Sequence, residues 1–339
     1  MKTKPYWLEV SALCGSSKRV KDGSILIIGS GLSGVSSAFF LLKEKMESVS
    51  ICDYKLENSA SFRNCGHILL GTVESMQALT NLHGKEVAKK IWQFSKEACF
   101  ELKRTINSFK EDVGYHKKGA LSIAIDPVEE EELKSSIEIL NNLGFSSDFY
   151  DSNKLKSLGF KNTYGARYDE DCAHAHPVKV RNAILRKSLK EGLKYYSDQK
   201  VLSLEQTEKG VCVHFEAYKA SFDLVIIAGN AYSNFFSDFF RDKHLLEPFR
   251  GQIIVSKPLK TNFSVDYPHS FDHGYEYALL TEDKRLMIGG WRNNTKTHEI
   301  GTYDLNPSLE VEEGLREFVK KYYNFSEEPS WEYSWSGIM

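Results

Sequence analysis

The stretch Ser24-Ile-Leu-Ile-Ile-Gly29-Ser-Gly31-Leu-Ser-Gly34 joins a short apolar run to three glycines in the spacing G-x-G-x-x-G. The apolar run predicts a buried strand, and the segment from Leu32 to Met46, rich in alanine, phenylalanine and leucine, predicts a helix directly after it. Val49-Ser-Ile-Cys-Asp53 predicts a second strand. Strand, glycine turn, helix and strand within about 30 residues indicate a parallel βαβ unit.

Each glycine of this turn has a physical role in binding a dinucleotide. Gly29 permits the tight turn, Gly31 lets the backbone approach a pyrophosphate, and Gly34 lets helix and strand pack closely. The helix N-terminus offers free N–H groups and a partial positive charge to the phosphates. Asp53 follows the last glycine by 53 − 34 = 19 residues and is placed to accept hydrogen bonds from ribose hydroxyls, which disfavours a 2′-phosphate. The fingerprint predicts a Rossmann-like domain that binds NAD or FAD rather than NADP.

Length and composition restrict the class of protein. A chain of 339 residues is too long for one ordinary core, so two interleaved domains are expected. The net charge of −2 provides no basic excess for a nucleic-acid partner. There is no run of about 18 apolar residues that would span a membrane, and residues 1–22 predict an irregular arm rather than a signal peptide. The six cysteines contain no C-x-x-C pair, so we expect a reducing cytoplasm and no zinc site or disulfide framework.

The rest of the pattern predicts two domains built from alternating chain segments. Apolar residues spaced by three and four, among them Val87, Phe94 and Ile106, predict one face of a long helix over residues 85–109. Further helices are predicted over 127–140 and 309–322, a hairpin over 201–204 and 211–215, and strands over 119–125, 223–228, 253–256, 276–280 and 286–290. The order of these elements indicates an α/β fold, with a nucleotide-binding domain interrupted by an α+β substrate domain that carries a mixed or antiparallel sheet. The predicted bounds are 1–82 and 151–240 for the first domain and 83–150 and 241–339 for the second.

Several motifs downstream of the fingerprint resemble one family of flavoproteins. Residues 59–67, Ser-Ala-Ser-Phe-Arg-Asn-Cys-Gly-His, resemble the A-S-x-R-N-G-G loop of the D-amino-acid-oxidase superfamily. Five more similarities follow in the family's order: His174-Ala-His176-Pro177, the strand and turn over 223–232, Arg250-Gly-Gln252, the hairpin over 281–290, and Trp335-Ser-Gly337. Within the superfamily, A-G-N-A-Y together with H-x-H-P resembles the γ-glutamylputrescine-oxidoreductase-like branch.

The resemblance implies a glutathione-reductase-type FAD-binding domain and FAD as the cofactor. In this family the loop lies along the FAD pyrophosphate and the isoalloxazine, where the charge of Arg63 suits a phosphate and Gly66 permits close approach to a flat ring. The family reaction is the oxidation of a C–N bond by hydride transfer from an amine to flavin N5, followed by hydrolysis of the imine, with oxygen or another electron acceptor. The cofactor-binding residues expected on this basis are Gly29, Ser30, Gly31, Leu32, Ser33, Gly34, Asp53, Tyr54, Ser61, Arg63, Asn64, Cys65, Gly66, Val201, Ala228 and Gly229.

Two residues are candidates for the substrate side of the flavin. The resemblance places His67 beside the ring, where it would select a neutral amine or polarise the pocket. It places Tyr277 in the strand that lines the substrate side. Each also has a purely structural interpretation: His67 as a histidine hydrogen-bonded to the backbone, and Tyr277 as an ordinary cross-strand aromatic residue. Cys65 replaces a glycine usual in this loop and is interpreted as a buried free thiol rather than a flavin attachment point. His174 and His176 alternate along an extended segment, so they face opposite ways and no metal is expected.

Two departures from the family pattern leave the function open. Relatives carry an arginine where this chain reads Tyr277-Ala278-Leu279, so a simple D-amino acid is a less suitable substrate unless another arginine replaces it. Relatives also continue beyond the position of Met339 with a helix that points at the flavin, so the chain is expected to lack part of the cofactor wall. The alternatives are an inert flavin-fold binding module, an NAD-dependent dehydrogenase and a tRNA-wobble modification flavoprotein. The amine and the oligomeric state are not indicated by the sequence.

Overall fold

The computed structural model describes residues 1–260, 263 and 265–339. Eight α-helices lie in this part of the chain: α1 Leu32–Lys43, α2 Met76–His83, α3 Lys85–Asn107, α4 Pro127–Asn142, α5 Ser152–Ser157, α6 Pro177–Lys190, α7 Asp238–Asp242 and α8 Leu309–Tyr322. The strands of the described residues are β1 Gly23–Ile28, β2 Val49–Cys52, β3 His67–Ile68, β4 His116–Lys117, β5 Ala120–Ile123, β6 Asp148–Asp151, β7 Gly165–Asp169, β8 Ala173–His174, β9 Lys194–Tyr196, β10 Val201–Thr207, β11 Gly210–Phe215, β12 Lys219–Ile227, β13 Arg250–Ser256, β14 His269–Phe271, β15 Glu276–Leu280, β16 Leu286–Gly289 and β17 Trp331–Ile338.

The predicted βαβ unit forms the centre of a six-stranded sheet with the order β10-β11-β12-β1-β2-β9. Strands β12, β1, β2 and β9 are parallel, and β10 and β11 extend the sheet as an antiparallel hairpin. Buried residues of β1 point to both faces, as expected for a strand covered on both sides. The hairpin and both parallel strands of the βαβ unit are confirmed.

An eight-stranded mixed sheet forms the second layer, with the order β17-β13-β16-β15-β14-β5-β7-β6. Only the pair β14–β5 within it is parallel; the other neighbours are antiparallel. Helix α8 packs its apolar residues, including Leu315 and Phe318, on one face of this sheet. The fold class is therefore a Rossmann-like α/β domain combined with a domain that carries a mixed, mainly antiparallel sheet.

The two sheets divide the chain differently from the predicted domain bounds in one place. Strand β7 lies within the segment 151–240 that was assigned to the cofactor domain, yet it pairs with β5 and β6 in the eight-stranded sheet. The chain therefore returns to the cofactor domain after Asp169 rather than at residue 151. We propose that the second segment of the cofactor domain begins after Asp169, so that strand β7 belongs to the domain of the eight-stranded sheet.

Helix α3 begins at the predicted residue and ends at Asn107, and only part of the predicted face is buried: Ile106 is buried as expected, but the residues nearer the start of the helix are not. Phe94 is 74% exposed and Val87 45% exposed, whereas Ala88 and Trp92 are buried. Trp92 packs in a cluster with Met76 and Phe145, which come from α2 and from the segment after α4. The partners of α3 are thus distant in sequence, and they select the face that the helix buries.

The N-terminal arm, residues 1–22, links the edges of both large sheets. Lys2 forms a parallel bridge with Tyr333 at one edge, and Ser16 forms a parallel bridge with Tyr196 at the other. Between them a 3₁₀ turn, Tyr6–Glu9, buries Trp7. None of the helices in the described part of the chain is both long enough and apolar enough to cross a membrane.

Candidate active site

The glycine turn between β1 and α1 has the tight geometry that the fingerprint predicts. Gly29 adopts φ +107, which a residue with a side chain rarely adopts. A Cβ atom added at Gly34 would overlap the carbonyl oxygen of Gly29, so the helix can approach the turn this closely only with glycine there. The first helical residue, Leu32, donates its backbone N–H to the Ser61 hydroxyl at 2.8 Å.

A cleft of about 950 Å³ opens along this turn and the carboxyl ends of the parallel strands. Its position matches the place where doubly wound sheets bind dinucleotides. Ten of the predicted cofactor-binding residues line it: Gly29, Ser30, Gly31, Ser33, Asp53, Tyr54, Ser61, Val201, Ala228 and Gly229. Lining residues that the sequence analysis missed include Lys55, Gln199, Lys200, Tyr232 and Met339.

Asp53 lies in this cleft and is held by two hydroxyl groups. Ser30 Oγ–H donates to its Oδ2, and Tyr195 O–H donates to the same oxygen at 2.6 Å. Burial raises the pKa of Asp53, while the hydrogen bonds from Ser30 and Tyr195 and the charge of Arg181 act in the opposite direction. Since both hydrogen bonds go to Oδ2, the other oxygen is the one placed to accept a ribose hydroxyl.

The cleft has the size, the helix N-terminus and the carboxylate that FAD requires. The turn presents backbone N–H groups for the pyrophosphate, and Asp53 lies at the end of β2 for the ribose. Val201 and Gln199 also line the cleft and would contact the adenosine half of the cofactor. The residues present therefore fit this cofactor.

Arg63 does not line the cleft, contrary to the expectation that it would bind phosphate. Its Nη1 donates to Ser336 O at 2.6 Å and its Nε donates to Glu57 O at 2.9 Å. The guanidinium therefore ties the loop to strand β17 through Ser336 O and to the carbonyl of Glu57. Leu32 and Gly34 also do not line the cleft; they shape the glycine turn, through the hydrogen bond from Leu32 N–H to Ser61 and the close packing of Gly34 on Gly29.

Asn64, Cys65 and Gly66 also support the loop from behind rather than lining the cleft. Asn64 accepts the backbone N–H of Gly66 at 2.8 Å and donates to two carbonyls within the loop. The Cys65 thiol is free and buried, and burial raises its pKa. Trp7 of the arm donates its indole N–H to Asn64 O at 2.7 Å. These contacts fix the loop between the arm and the cofactor domain.

A second cavity, of about 350 Å³, lies against the face of the eight-stranded sheet. The chain enters the cofactor cleft at 59–61 and reaches this cavity at His67 and residues 69–75, so one loop borders both. Tyr277 also lines the cavity, with α4 forming an opposite wall through Glu129 and Leu133. The two predicted substrate-side residues are thus together in a cavity separate from the cofactor cleft.

His67 is uncharged near neutral pH. Its Nε2 lies 3.1 Å from the carbonyl oxygen of Ala278, and since a carbonyl only accepts, Nε2 carries the proton and donates it. Burial, with smaller contributions from His269 and His174, lowers the pKa of His67 to about 3. The remaining ring nitrogen, Nδ1, therefore keeps a free lone pair. The Tyr277 ring packs edge-on against His67, 6.2 Å between centroids, and burial raises the pKa of its hydroxyl.

Four side chains form a polar row across the cavity face of the sheet. The register pairs Tyr277 with Ser270, Ser270 with Ser122, and Ser122 with Arg167. All four residues line the cavity. At about 4.8 Å between neighbouring strands, Arg167 lies about 14 Å across the sheet from Tyr277.

Arg167 brings a guanidinium group to the wall of the cavity. Its Nε donates to Asp169 Oδ2 at 2.9 Å, and Asp169 also accepts from the Ser147 hydroxyl. Nη2 lies 3.5 Å from Ser122 Oγ, on the side of the polar row. The carboxylate therefore fixes one edge of the guanidinium while its terminal nitrogens remain on the cavity side.

The two histidines of the H-x-H-P motif lie in different surroundings, as their alternation predicts. His174 lies against the ring of His116, 5.0 Å between centroids, while His176 caps α6 and packs on Trp7. Burial lowers the pKa of both to about 4. Within the described residues, the possible metal ligands Glu205, Cys212 and His214 lie close together on the β10–β11 hairpin. The sequence analysis missed this group, because it is formed by pairing between two strands.

The sequence of this chain matches known proteins along most of its length. The model of a family described as FAD-dependent oxidoreductase matches residues 24–339. γ-Glutamylputrescine oxidoreductase of Escherichia coli (strain K12) is 23% identical over 274 residues, which is 78% of this chain. The chain spans 64% of the length of that relative.

Solved structures share the fold at low sequence identity. Glycine oxidase from Bacillus cereus ATCC 14579 superposes with a TM-score of 0.71 at 20% identity over 94% of this chain and 82% of that one. L-proline dehydrogenase from P. horikoshii gives 0.74 at 17% identity over 94% and 82%. L-α-glycerophosphate oxidase from Mycoplasma pneumoniae, with FAD bound, gives 0.74 at 14% identity over 94% and 83%.

Proposed function

Since this chain belongs to the family of FAD-dependent oxidoreductases and FAD is its cofactor, we propose that it oxidises the C–N bond of an amine or an amino acid. Bound FAD supplies the two-electron redox chemistry, and the protein supplies position, desolvation and electrostatics. The observation that carries the proposal is the single loop that borders both the cofactor cleft and the cavity of His67 and Tyr277.

His67 is suited to receive an amine in its reactive form. An amine must have a free lone pair on nitrogen before its C–N bond can be oxidised, so its extra proton has to be removed. Because His67 is neutral and its Nε2 is held by Ala278 O, its Nδ1 can accept a hydrogen from the substrate nitrogen. Tyr277 keeps its proton and can donate a hydrogen bond next to it. We assign these two residues to binding and orienting the neutral form of the amine.

The polar row favours an elongated substrate with a carboxylate at its remote end. Arg167 is the cationic side chain of the cavity and lies about 14 Å from Tyr277 across the sheet, too far to bind the carboxylate of a small α-amino acid that reacts beside His67. Its terminal nitrogens can hold a carboxylate in two parallel hydrogen bonds. A γ-glutamyl amine, such as the compound in the name of the E. coli relative, has its carboxylate placed in this way.

An anaerobic titration of the FAD-loaded protein tests the oxidation. The flavin absorbance is followed while γ-glutamylputrescine, putrescine, D-alanine and glycine are added separately. We expect bleaching by γ-glutamylputrescine and a much weaker response to putrescine, which lacks the carboxylate. An FAD-loaded protein that none of these or other amines reduces would contradict the proposed function.

Two substitutions test the assigned residues. His67→Asn removes the imidazole nitrogen that accepts a hydrogen bond from the amine, so we expect flavin reduction to slow by about 10²-fold with FAD binding unchanged. Arg167→Met should raise the half-saturating concentration of the carboxylated substrate about tenfold or more, without affecting putrescine. Arg104→Met, at an exposed position on α3, is the control. Equal effects of Arg167→Met on both amines would reject the carboxylate assignment.

Oxygen or another compound as the electron acceptor, and a cytoplasmic location, remain predictions. Reoxidation of the reduced protein by air, compared with reoxidation by an artificial acceptor, distinguishes an oxidase from a dehydrogenase. Rapid return of the flavin absorbance in air would support oxygen as the acceptor.

A further inference from the structure

A fully buried arginine lies directly beneath the glycine turn. Arg181, on α6, is 0% exposed. Its Nε donates to Ser30 O at 2.9 Å and its Nη2 donates to Ser30 Oγ at 2.8 Å and to Tyr195 O–H at 3.0 Å. Ser30 and Tyr195 are the same two residues whose hydroxyls donate to Asp53. The Arg181 guanidinium is therefore linked to the Asp53 carboxylate through two hydroxyl groups, those of Ser30 and Tyr195.

The charge of Arg181 has no carboxylate in direct contact among the described residues. The groups that accept its hydrogen bonds are two carbonyls, two hydroxyls and the Asn182 side chain, all of them neutral. A buried charge is costly unless an opposite charge compensates it. Asp53, one hydroxyl further away, is that charge within the protein. The phosphates of FAD would add negative charge near the same turn.

The N-terminal arm completes this network from the opposite side. Arg181 Nη1 donates to Leu13 O at 2.7 Å, and the Asn182 side chain accepts from Leu13 N–H and donates to Ser11 O. Gly15 N–H donates to Ser197 Oγ at 2.6 Å, and Ser16 N–H donates to Tyr195 O at 2.9 Å. The arm thus contacts Arg181 and also the strand that carries Tyr195.

We propose that Arg181 is a positioning residue that couples docking of the N-terminal arm to FAD binding. With the arm docked, Arg181 is fully hydrogen-bonded and holds Ser30, Tyr195 and Asp53 in the arrangement that receives the ribose and the pyrophosphate. With the arm undocked, Nη1 loses its carbonyl and water enters the network, so the charge under the turn is weakened. The arm lies before residue 24, where the matched family segment begins, whereas Arg181 and the residues that it holds lie within that segment.

Coupling of this kind is reciprocal. If docking of the arm strengthens FAD binding by a given factor, FAD binding strengthens docking by the same factor. The proposal therefore has two independent consequences, one for the affinity of FAD and one for the stability of the arm. It concerns cofactor binding only and does not depend on which substrate the protein oxidises.

Fluorescence titration of FAD tests the first consequence. Arg181→Met should raise the dissociation constant of FAD by at least about tenfold, and Arg181→Lys should raise it less, because the charge stays but the fork is lost. Gly15→Val should also raise it, since an added side chain would collide with the Tyr195 carbonyl and ring and displace the arm. Arg186→Met, which affects an exposed ion pair with Glu111 on the same helix, should leave it unchanged. An unchanged dissociation constant in Arg181→Met or in Gly15→Val would overturn the proposal.

Hydrogen exchange of the unaltered protein tests the second consequence, the effect of FAD on the stability of the arm. This experiment does not depend on whether a variant folds. Addition of FAD should slow exchange of the backbone amides of Leu13, Gly15 and Ser16. Strand β6, at the far edge of the other sheet, is the internal reference and should exchange at the same rate with and without FAD. Slower exchange around the glycine turn with no change in the arm would show that FAD binds without the coupling and would also overturn it.

Discussion

At the scale of single residues, Gly34 controls how closely α1 approaches the glycine turn. A Cβ atom there would overlap the carbonyl oxygen of Gly29, a backbone atom that cannot move aside cheaply. We expect Gly34→Ala to lower the free energy of unfolding by about 1–3 kcal/mol and to abolish detectable FAD binding. Urea denaturation and FAD fluorescence titration measure the two effects.

Gly23→Ala is the matched control for this change. Gly23 begins strand β1, and a Cβ atom there would meet its nearest neighbours at 3.7 Å, an ordinary contact distance. This variant should bind FAD like the unaltered protein. If both variants bound FAD equally well, the close approach of helix and turn would not be what the third glycine provides.

Glu276 provides a pH-dependent contribution to stability from the other sheet. Its carboxyl group is 1% exposed, and burial, with the charge of Asp272, raises its pKa from the ordinary value of 4.5 to about 8. Its Oε2 is buried without a hydrogen-bond partner among the described residues. Between pH 4.5 and pH 8 the folded protein holds a proton that the unfolded chain has lost, so this group destabilises the fold increasingly as the pH rises.

We therefore expect Glu276→Gln to stabilise the protein at high pH. The glutamine cannot ionise, so the variant lacks the loss of stability that the glutamate causes between pH 4.5 and pH 8. The stabilisation relative to the unaltered protein should grow across this window, to the order of 1–3 kcal/mol at pH 8. Urea denaturation at pH 5 and pH 8 measures it. A difference between the two proteins that is the same at both pH values would contradict the raised pKa.

At the scale of elements, the loop from Ser59 to His67 is held by contacts outside the cofactor cleft. Arg63 joins it to strand β17 and to the carbonyl of Glu57. Arg63→Met should lower the free energy of unfolding by about 1–3 kcal/mol, because a partly buried carbonyl loses a charged donor. It should leave the salt dependence of FAD binding unchanged, because the guanidinium does not reach the phosphates.

Salt dependence separates this interpretation from a phosphate contact. Titration of FAD at two salt concentrations is compared for the unaltered protein and the variant. A weaker salt dependence in Arg63→Met would mean that the guanidinium does contact phosphate in the bound state. Lys200→Met, which changes a cation that lines the cleft, is the control expected to weaken the salt dependence.

The exposed residues of α3 show that a helix can be predicted from its sequence when the face that it buries cannot. The periodicity of apolar residues predicted the helix, and its first residue, Lys85, is confirmed. Trp92 rather than Phe94 is buried, because the cluster with Met76 and Phe145 lies on that side. The period is a property of the segment, whereas the buried face depends on elements that reach the helix from elsewhere in the chain.

At the scale of the whole molecule, FAD should stabilise both layers together. The cofactor cleft is lined by the six-stranded sheet, by the loop that carries residues 55–61 and by Met339 at the end of β17, so binding joins parts of both sheets. At a free FAD concentration of 100 times the dissociation constant, we expect a stabilisation of about 2.7 kcal/mol. Thermal unfolding with and without FAD measures it.

Riboflavin distinguishes the two halves of the cofactor in this experiment. It lacks the pyrophosphate and the adenosine that the glycine turn and Asp53 bind, so it should shift the unfolding temperature very little at the same concentration. Equal shifts from riboflavin and FAD would place the binding energy outside the dinucleotide cleft.

The cofactor domain was predictable because its defining features are local. The strand, the glycines, the helix and Asp53 lie within residues 24–53, and one supersecondary unit brings them together. Ten of the sixteen residues expected to bind the cofactor line the cleft, while Arg63 and its neighbours turn away, because their partners in β17 and the arm are far away in the chain.

The polar row and the network of Arg181 were decided by tertiary structure alone. Tyr277, Ser122 and Arg167 share one line only through the register between strands from separate parts of the chain, and that register is not a property of any one strand. The sequence around Arg181, a helix rich in lysine and arginine, indicates a surface residue. In the structure, β9 and the N-terminal arm cover it. Local spacing therefore predicted a dinucleotide cleft, and the family resemblance narrowed its ligand to FAD. Long-range pairing determined which side chains line the second cavity, because a βαβ unit folds on itself while a cavity is assembled from distant segments.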